Sequence, residues 1–242
     1  MLLLSQNNAT AATGSRRIAL PSLVRMQQPQ HAAVIDSSNR FGASVISAVL
    51  PAAGGYDLAV NNLFPIPNAG AAVKANKFAF VSGSAGIPYG IDTGASIFRR
   101  STFTKLFQIQ VNSIASGHIF STDSRVNVGI GVETIAAGQL GVSIYDGAFK
   151  QISFVPTTGI LYTLVIVATE SLLSFYANGT LIGSVAISPI IFQAGRATNY
   201  GFNTVSNANS MLFDMYCSLM LSSAYLANDI AALSANPWQV FR

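Results

Sequence analysis

The sequence contains very little charge. Only 9% of its 242 residues are Asp, Glu, Lys or Arg, against roughly 25% in an ordinary soluble domain. Glutamate occurs only as Glu133 and Glu170. Because so few charges give a surface little protection against association, we expect part of it to be covered by a partner. The alternative is a free apolar domain whose surface is built from Ser, Thr and Asn.

Cysteine and histidine are almost absent as well. Cys217 is the single cysteine, and its apolar surroundings in the sequence predict a buried, inert thiol. The two histidines are His31 and His118. These residues exclude a disulfide framework and a zinc site with Cys and His spacing. No Gly-x-Ser-x-Gly motif accompanies them, so a serine hydrolase is not predicted.

No apolar run is long enough to cross a membrane. The longest, Ile160 to Ala168, contains Tyr and Thr and predicts a core strand. Met1 to Leu4 is apolar, but a polar Ser-Gln-Asn-Asn segment follows at once and predicts no secretion signal. We therefore expect synthesis in a cytoplasm and no membrane partner.

The net charge of +4 comes from scattered basic residues. Arg16-Arg17 and Arg99-Arg100 are the only adjacent pairs, and no basic stripe is interleaved with aromatic residues. Nucleic acids usually require such a stripe, so the sequence predicts no nucleic-acid partner.

Residues 1–31 differ from the rest of the chain. They are rich in Ser, Asn, Gln, Ala and Thr, and they show no hydrophobic period. This composition predicts an extended N-terminal arm followed by one domain, residues 32–242. The arm is either a disordered tail or a tether that orders on a neighbouring subunit. Its apolar and basic residues favour the tether, and the predicted contacts are Arg16, Arg17, Ile18, Leu20, Leu23, Val24 and Arg25.

The pattern after residue 34 is that of β-strands. Phe103 to Val111 alternates, with Phe103, Lys105 and Phe107 on one face and a mostly polar opposite face, which predicts a half-buried strand. Turn residues recur at roughly 8–12-residue intervals, as in sandwiches and jelly rolls. Further strand candidates are Val45–Leu50, Tyr56–Val60, Phe78–Val81, His118–Ser121, Val126–Val132, Leu140–Tyr145, Phe149–Val155, Leu161–Ala168, Leu172–Tyr176, Leu181–Ile187, Tyr200–Phe202 and Met211–Leu221.

Two dipeptides predict β-hairpins, and the C-terminus predicts a short helix. Asn178-Gly179 lies between strand-like runs, where a type I′ turn needs positive φ at both central residues. Asp146-Gly147 is a second such signal. Leu226, Ile230 and Leu233 share one helical face. Pro237 ends this helix, and Trp238 is expected to pack on the sandwich.

These segments resemble a known family. The strand–Asn178-Gly179–strand hairpin is similar to that of laminin-G-like and concanavalin A-like jelly rolls. The ending Asn236-Pro237-Trp238-Gln-Val-Phe241 resembles the C-terminus of laminin-G-like proteins of tailed bacteriophages, and Asp36-Ser-Ser-Asn39 resembles the family's opening. The resemblance covers residues 32–242 and implies an all-β antiparallel sandwich of the concanavalin A-like type.

Catalytic and metal-binding patterns are weak. Jelly-roll glycosidases need paired carboxylates, but Glu133 and Glu170 are isolated and Asp214 stands alone on its strand. Calcium needs several oxygen ligands, and the best local group, Asp123 with Ser121, Thr122 and Ser124, has one carboxylate. We therefore predict no enzyme activity, no metal and no cofactor.

Sugar binding usually needs exposed aromatic side chains. The tyrosines considered for loop or edge positions are Tyr56, Tyr89, Tyr145, Tyr176 and Tyr200. The sequence alone does not assign any of them to a glycan site.

The resemblance implies a bacteriophage virion protein, made in the host cytoplasm and placed on the virion surface. Our first hypothesis is a capsid decoration (cement) protein that contacts other virion proteins and forms a dimer or trimer. The alternative is a glycan-binding tail or fibre component that attaches to the host surface.

Overall fold

The computed structural model describes residues 18–19, 32–51, 57–59, 71–74, 77–81, 87–91, 100–114, 117–122, 129–192, 197–201 and 211–242. Its strands are β1 (Ile18–Ala19), β2 (Ala32–Ala33), β3 (Val45–Val49), β4 (Ala71–Val73), β5 (Phe78–Phe80), β6 (Ile87–Ile91), β7 (Phe103–Ser113), β8 (His118–Thr122), β9 (Ile130–Ala136), β10 (Gln139–Tyr145), β11 (Phe149–Phe154), β12 (Leu161–Ala168), β13 (Leu172–Ala177), β14 (Thr180–Ala186), β15 (Ala197–Tyr200) and β16 (Leu212–Leu221). One α-helix, α1 (Ala227–Ala235), and 3-10 turns at Gly42–Ser44 and Pro237–Val240 complete the described elements.

The strands form an antiparallel β-sandwich, which confirms the predicted fold class and the short C-terminal helix. One sheet has the order β11-β10-β9-β8-β15-β6, and the other has β14-β13-β12-β7-β16-β5-β4, with β3 also paired to β16. The two sheets enclose a core of alternating apolar side chains such as Phe107, Ile109 and Val132. Among the described strands, β1 and β2 form a separate two-stranded sheet.

Most of the predicted strands occur within one or two residues of their predicted bounds. The largest difference is at β9, which begins at Ile130 and continues to Ala136. In the predicted strand Tyr56–Val60, Asp57 makes an isolated bridge to Val49, and both end residues lie outside the described part. The predicted strand at Tyr200 begins earlier, at Ala197.

Strand β7 is buried on both faces, so its prediction as a half-buried strand was wrong. Phe107 and Ile109 point into the core between the sheets. Leu106, on the opposite face, belongs to a second core with Val165, Leu219 and residues of α1. The helix and the segments at the two ends of the domain therefore cover the outer face of the eight-stranded sheet.

The two ends of the domain are paired with each other. Val34 N donates to Arg242 O at 3.0 Å, Arg242 N donates to Val34 O at 2.9 Å, and Asp36 N donates to Val240 O at 2.8 Å. Trp238 is 3% exposed and packs in the second core, as predicted.

The predicted helical face is only partly correct. Ile230 and Leu233 are buried, but Leu226 is 78% exposed. Leu226 is the N-cap residue with an extended backbone, φ −77° and ψ 165°, so it does not share the helical face. The helix ends at Ala235, and Pro237 starts the 3-10 turn. Within the described residues, no helix has the length and hydrophobicity of a membrane span.

Both predicted hairpins form. Asn178 has φ 50° and Gly179 has φ 80°, as a type I′ turn requires. Residues on either side of Asp146-Gly147 join β10 to β11, and Gly147 has φ 104°. These turns set the register of β10–β11 and β13–β14.

The second core makes a testable prediction about stability. Replacing Trp238 with alanine removes a buried indole, and we expect the free energy of unfolding to fall by about 3–5 kcal/mol. Replacing the exposed Leu226 with alanine is the control, for which we expect a change within about 0.5 kcal/mol. Urea unfolding followed by circular dichroism measures both. Equal stabilities for the two variants would contradict a structural role of the second core.

Candidate functional site

The residues predicted to contact a partner lie almost entirely outside the described part of the chain. These are Arg16, Arg17, Leu20, Leu23, Val24 and Arg25. Ile18 lies in β1 and pairs in register with Ala33 of β2. Val34, directly after β2, forms backbone hydrogen bonds with Arg242. This contact places the end of β2 next to Arg242. The partner-binding role of the arm stays a prediction.

Several large apolar side chains are exposed at the edges of the two sheets. Phe149 on β11 is 52% exposed and Leu181 on β14 is 51% exposed. Val155, directly after β11, is 67% exposed. Strand β14 is an edge strand that contains neither charge nor proline, the usual devices that prevent edge-to-edge association. This edge of the sandwich is therefore suited to protein contact.

The tyrosines considered for sugar contact are not all at the surface. Tyr200 is fully buried in the core and Tyr176 is buried in the second core, so an exposed position for either was wrong. Tyr200 lies between the two sheets, and Tyr176 lies in the second core on the outer face of the eight-stranded sheet. Tyr145 is half-buried at the end of β10, whereas Tyr56 and the side chain of Tyr89 lie outside the described part.

The core encloses a lysine. Lys105 is 1% exposed, and its Nζ donates a 3.0 Å hydrogen bond to the hydroxyl of Tyr200. The same nitrogen lies 5.1 Å from the ring centroids of Phe107 and Phe120. Tyr200 Oη in turn lies 3.1 Å from Ser218 Oγ. The sequence pattern placed Lys105 on the inner face, but it gave no sign of these aromatic partners.

Burial changes the acid–base chemistry of this lysine. Desolvation lowers the pKa of Lys105 from its usual 10.5 to about 7, and the negative charge of Asp57 opposes this decrease. Asp57 is itself held by Ser47 Oγ at 2.6 Å and by the backbone N–H of Ala48 at 2.9 Å. Burial also raises the pKa of Cys217 to about 12. Cys217 is thus buried, as predicted.

A second buried polar group lies on the six-stranded sheet. Glu133 is 2% exposed, its Oε1 accepts a hydrogen bond from Ser143 Oγ, and its Oε2 lies 3.2 Å from His118 Nδ1. Ile130 and Val132 fill the core, so alternation places Glu133 on the face that points away from it. The carboxylate stands between the hydroxyl and the imidazole, whereas in a catalytic triad the imidazole stands between the other two.

The other predicted polar positions are structural or undescribed. Asp214 forms an ion pair with Lys77, with 2.7 Å between Oδ2 and Nζ. Ser121 and Thr122 end β8, but Asp123 and Ser124 lie outside the described part. Within the described ranges, no three His, Cys, Asp or Glu side chains come together as metal ligands.

Solved structures share this architecture at low sequence identity. The binding domain of botulinum neurotoxin serotype D matches 81% of this chain and 52% of its own, with TM-score 0.62 and 16% identity. The Trypanosoma rangeli sialidase in complex with sialic acid matches 90% and 37%, with TM-score 0.64 and 11% identity. Domain 4 of AbnA, a GH43 extracellular arabinanase from Geobacillus stearothermophilus, in complex with arabinotriose, matches 79% and 98%, with TM-score 0.60 and 14% identity.

These similarities establish the fold alone. The chain spans about half the length of the toxin domain and little more than a third of the sialidase. The sequence matches no protein-family model and no curated protein sequence. The sandwich architecture is therefore shared, and function has to be argued from this chain's own surface.

Lys105 generates a prediction about pH. In the unfolded chain its ammonium group keeps its proton up to about pH 10.4, whereas in the folded protein the pKa is about 7. The unfolded state therefore binds more protons between these values, so the free energy of unfolding rises with pH, by up to about 1.4 kcal/mol per unit. Urea unfolding at several pH values from 7 to 8.5 measures this slope.

The matched variant is Lys105→Met, which lacks the titrating group. We expect its slope to be flatter and its advantage in stability over the wild type to be largest near pH 7. Identical slopes for the two proteins would mean that other groups carry the titration.

Proposed function

We propose that this chain is a structural protein of a bacteriophage particle, first of all a capsid decoration (cement) protein on the particle surface. The supporting observation is the exposed apolar edge formed by Phe149, Val155 and Leu181 on a chain with only 9% charged residues. Burying such side chains against a partner contributes roughly 25 cal/mol per Å² of apolar area. Many copies on one particle would multiply this small gain.

The sequence motifs supply the phage part of the proposal. Trp238 of the C-terminal motif packs into the second core, and Val240 and Arg242, which follow it, form backbone hydrogen bonds to the start of the domain. The motif is thus part of the fold, and a structural role of this kind is consistent with its recurrence in the resembled family. The arm would reach neighbouring subunits, and a dimer or trimer is the expected form.

The proposed action is binding without catalysis. Ser143 donates its hydrogen bond to Glu133, so the imidazole of His118 does not accept the hydroxyl proton as a general base would. Asp214 is neutralised by its ion pair with Lys77. These arrangements support a structural role for the buried polar groups.

The arm provides the test of the particle role. Deleting residues 1–31 removes β1 and the apolar residues predicted to anchor the arm, so we expect at least a tenfold loss of copies bound per particle. The control replaces Gln27 and Gln28 of the same arm with alanine and should bind normally. Quantitative mass spectrometry of purified particles gives the copy number, and thermal unfolding checks that the deleted protein is folded. Unchanged occupancy of the folded deletion variant would contradict the tether.

A second candidate function is glycan binding in a tail or fibre component that attaches to the host surface. It is favoured by the similarity to an arabinanase domain whose structure contains arabinotriose, because 98% of that domain is matched. A sialidase bound to sialic acid shares the architecture as well.

A glycan array probed with the purified protein tests this second function. We expect binding to a restricted set of saccharides, and binding to none of them would remove the candidate. The array result is independent of the particle-occupancy result, so the two proposals can fail separately.

A further inference from the structure

The outer face of the eight-stranded sheet carries a row of hydrogen-bonding side chains beyond the second core. Lys77 Nζ donates to Asp214 Oδ2 at 2.7 Å, and Asn112 Nδ2 donates to the same oxygen at 3.2 Å. Gln110 Nε2 donates to Asn112 Oδ1 at 3.0 Å. We call these four residues the polar row. Gln110, Asn112 and Lys77 are each partly exposed.

The strand register places the polar row on one face. Asp214 of β16 lies opposite Gln110 of β7. Their neighbours Ile109 and Phe213 fill the core between the sheets, so Gln110 and Asp214 point away from it.

A β-bulge lies next to the row. The register shifts between Met215 and Cys217, which makes Tyr216 the additional residue on β16. Met215 belongs to the inner core and Cys217 to the second core, so alternation puts Tyr216 on the outer face beside Asp214. Bulges redirect side chains and are frequent beside binding sites. Here the bulge brings an aromatic residue next to the polar row.

A buried acceptor lies at the end of the row nearest the second core. Gln108 is 2% exposed, and it precedes Gln110 on the same face of β7. Its Oε1 is buried and accepts no hydrogen bond from the described residues. An unpaired buried acceptor is destabilising, so this oxygen needs a donor from outside the described residues, and a hydroxyl group of a ligand can supply it.

The chemistry of the row selects the class of ligand. The charges of Lys77 and Asp214 cancel in their ion pair, so the row attracts neither anions nor cations strongly. In the hydrogen bonds above, Lys77 uses one of its three N–H donors and Asn112 uses one of its two. Donors and acceptors that alternate over a neutral surface match the hydroxyl groups of a sugar. We propose that the polar row, with Gln108 and Tyr216, binds a neutral saccharide, an inference that rests on the second proposed function.

The first experiment uses the full-length protein and immobilised trisaccharides. The probes are arabinotriose, maltotriose and cellotriose, with sialyllactose as the charged comparison. We expect at least one neutral trisaccharide to bind, and Gln110→Ala and Asn112→Ala each to weaken that binding at least tenfold. The matched control is Gln151→Ala, an exposed glutamine on β11 of the opposite sheet, which should bind as the wild type does.

The outcomes separate this site from glycan binding in general. Binding that survives both row substitutions would keep the second proposed function and overturn the site. Binding of sialyllactose alone would overturn the neutral ligand class. Binding of none of the probes would overturn this inference, whatever the larger array shows.

A second variant separates ligand recognition from a structural role of Gln108. Gln108→Met removes the unpaired acceptor while keeping the length of the side chain, so we expect a higher Tm together with at least threefold weaker saccharide binding. A higher Tm with unchanged binding would assign the acceptor to a buried water molecule and remove Gln108 from the site.

Discussion

The pairing of β7 with β16 is the constraint on which the remaining structure depends. The two strands lie side by side in the eight-stranded sheet and are buried on both faces over much of their length. The six-stranded sheet covers their inner face, while α1, the Pro237–Val240 turn and Phe41 cover the outer face. Each large apolar side chain buried this way contributes about 1.5–3 kcal/mol. The ends of the domain are thus part of the core.

Burial on both faces also determines where the polar side chains of β7 go. Lys105 points inward and is accommodated by Tyr200 and two phenylalanine rings. Gln108 points outward at the margin of the second core and keeps an unpaired oxygen. Beyond that margin, Gln110 and Asn112 meet Asp214 and form the polar row. One strand therefore passes from a part that is buried on both faces to a part that is partly exposed, which begins at Gln110.

Local sequence signals were enough to predict most strands and turns. The burial of each strand face and the polar contacts depend on residues that are distant in the sequence. Asn178-Gly179 specifies its turn by backbone conformation alone, so the hairpin could be predicted. The second buried face of β7 could not, because its cover comes from residues that are far away in the sequence, among them Phe41, Ile230 and Trp238. The hydrogen bond between Lys105 and Tyr200 joins residues that are 95 positions apart in the sequence, and the one between Asn112 and Asp214 joins residues 102 positions apart. No periodicity within one strand contains that information, so the candidate sites emerged only from the fold.

The few acids of the chain are used mainly inside the molecule. Seven of the nine lie in the described part, and six of these have partners within the chain, namely Asp36, Asp57, Glu133, Asp146, Asp214 and Asp229. The seventh, Glu170, is exposed. Internal ion pairs and hydrogen bonds thus use most of the negative charge of the described residues, and the exposed edge and the polar row present mainly apolar and neutral polar groups. Contacts of this kind depend on shape and hydrogen bonding more than on salt, because ionic screening acts on unpaired charges. Under the two proposals, the sandwich edge with exposed Phe149 and Leu181 and the polar row with Asn112 would both bind a partner without relying on net charge.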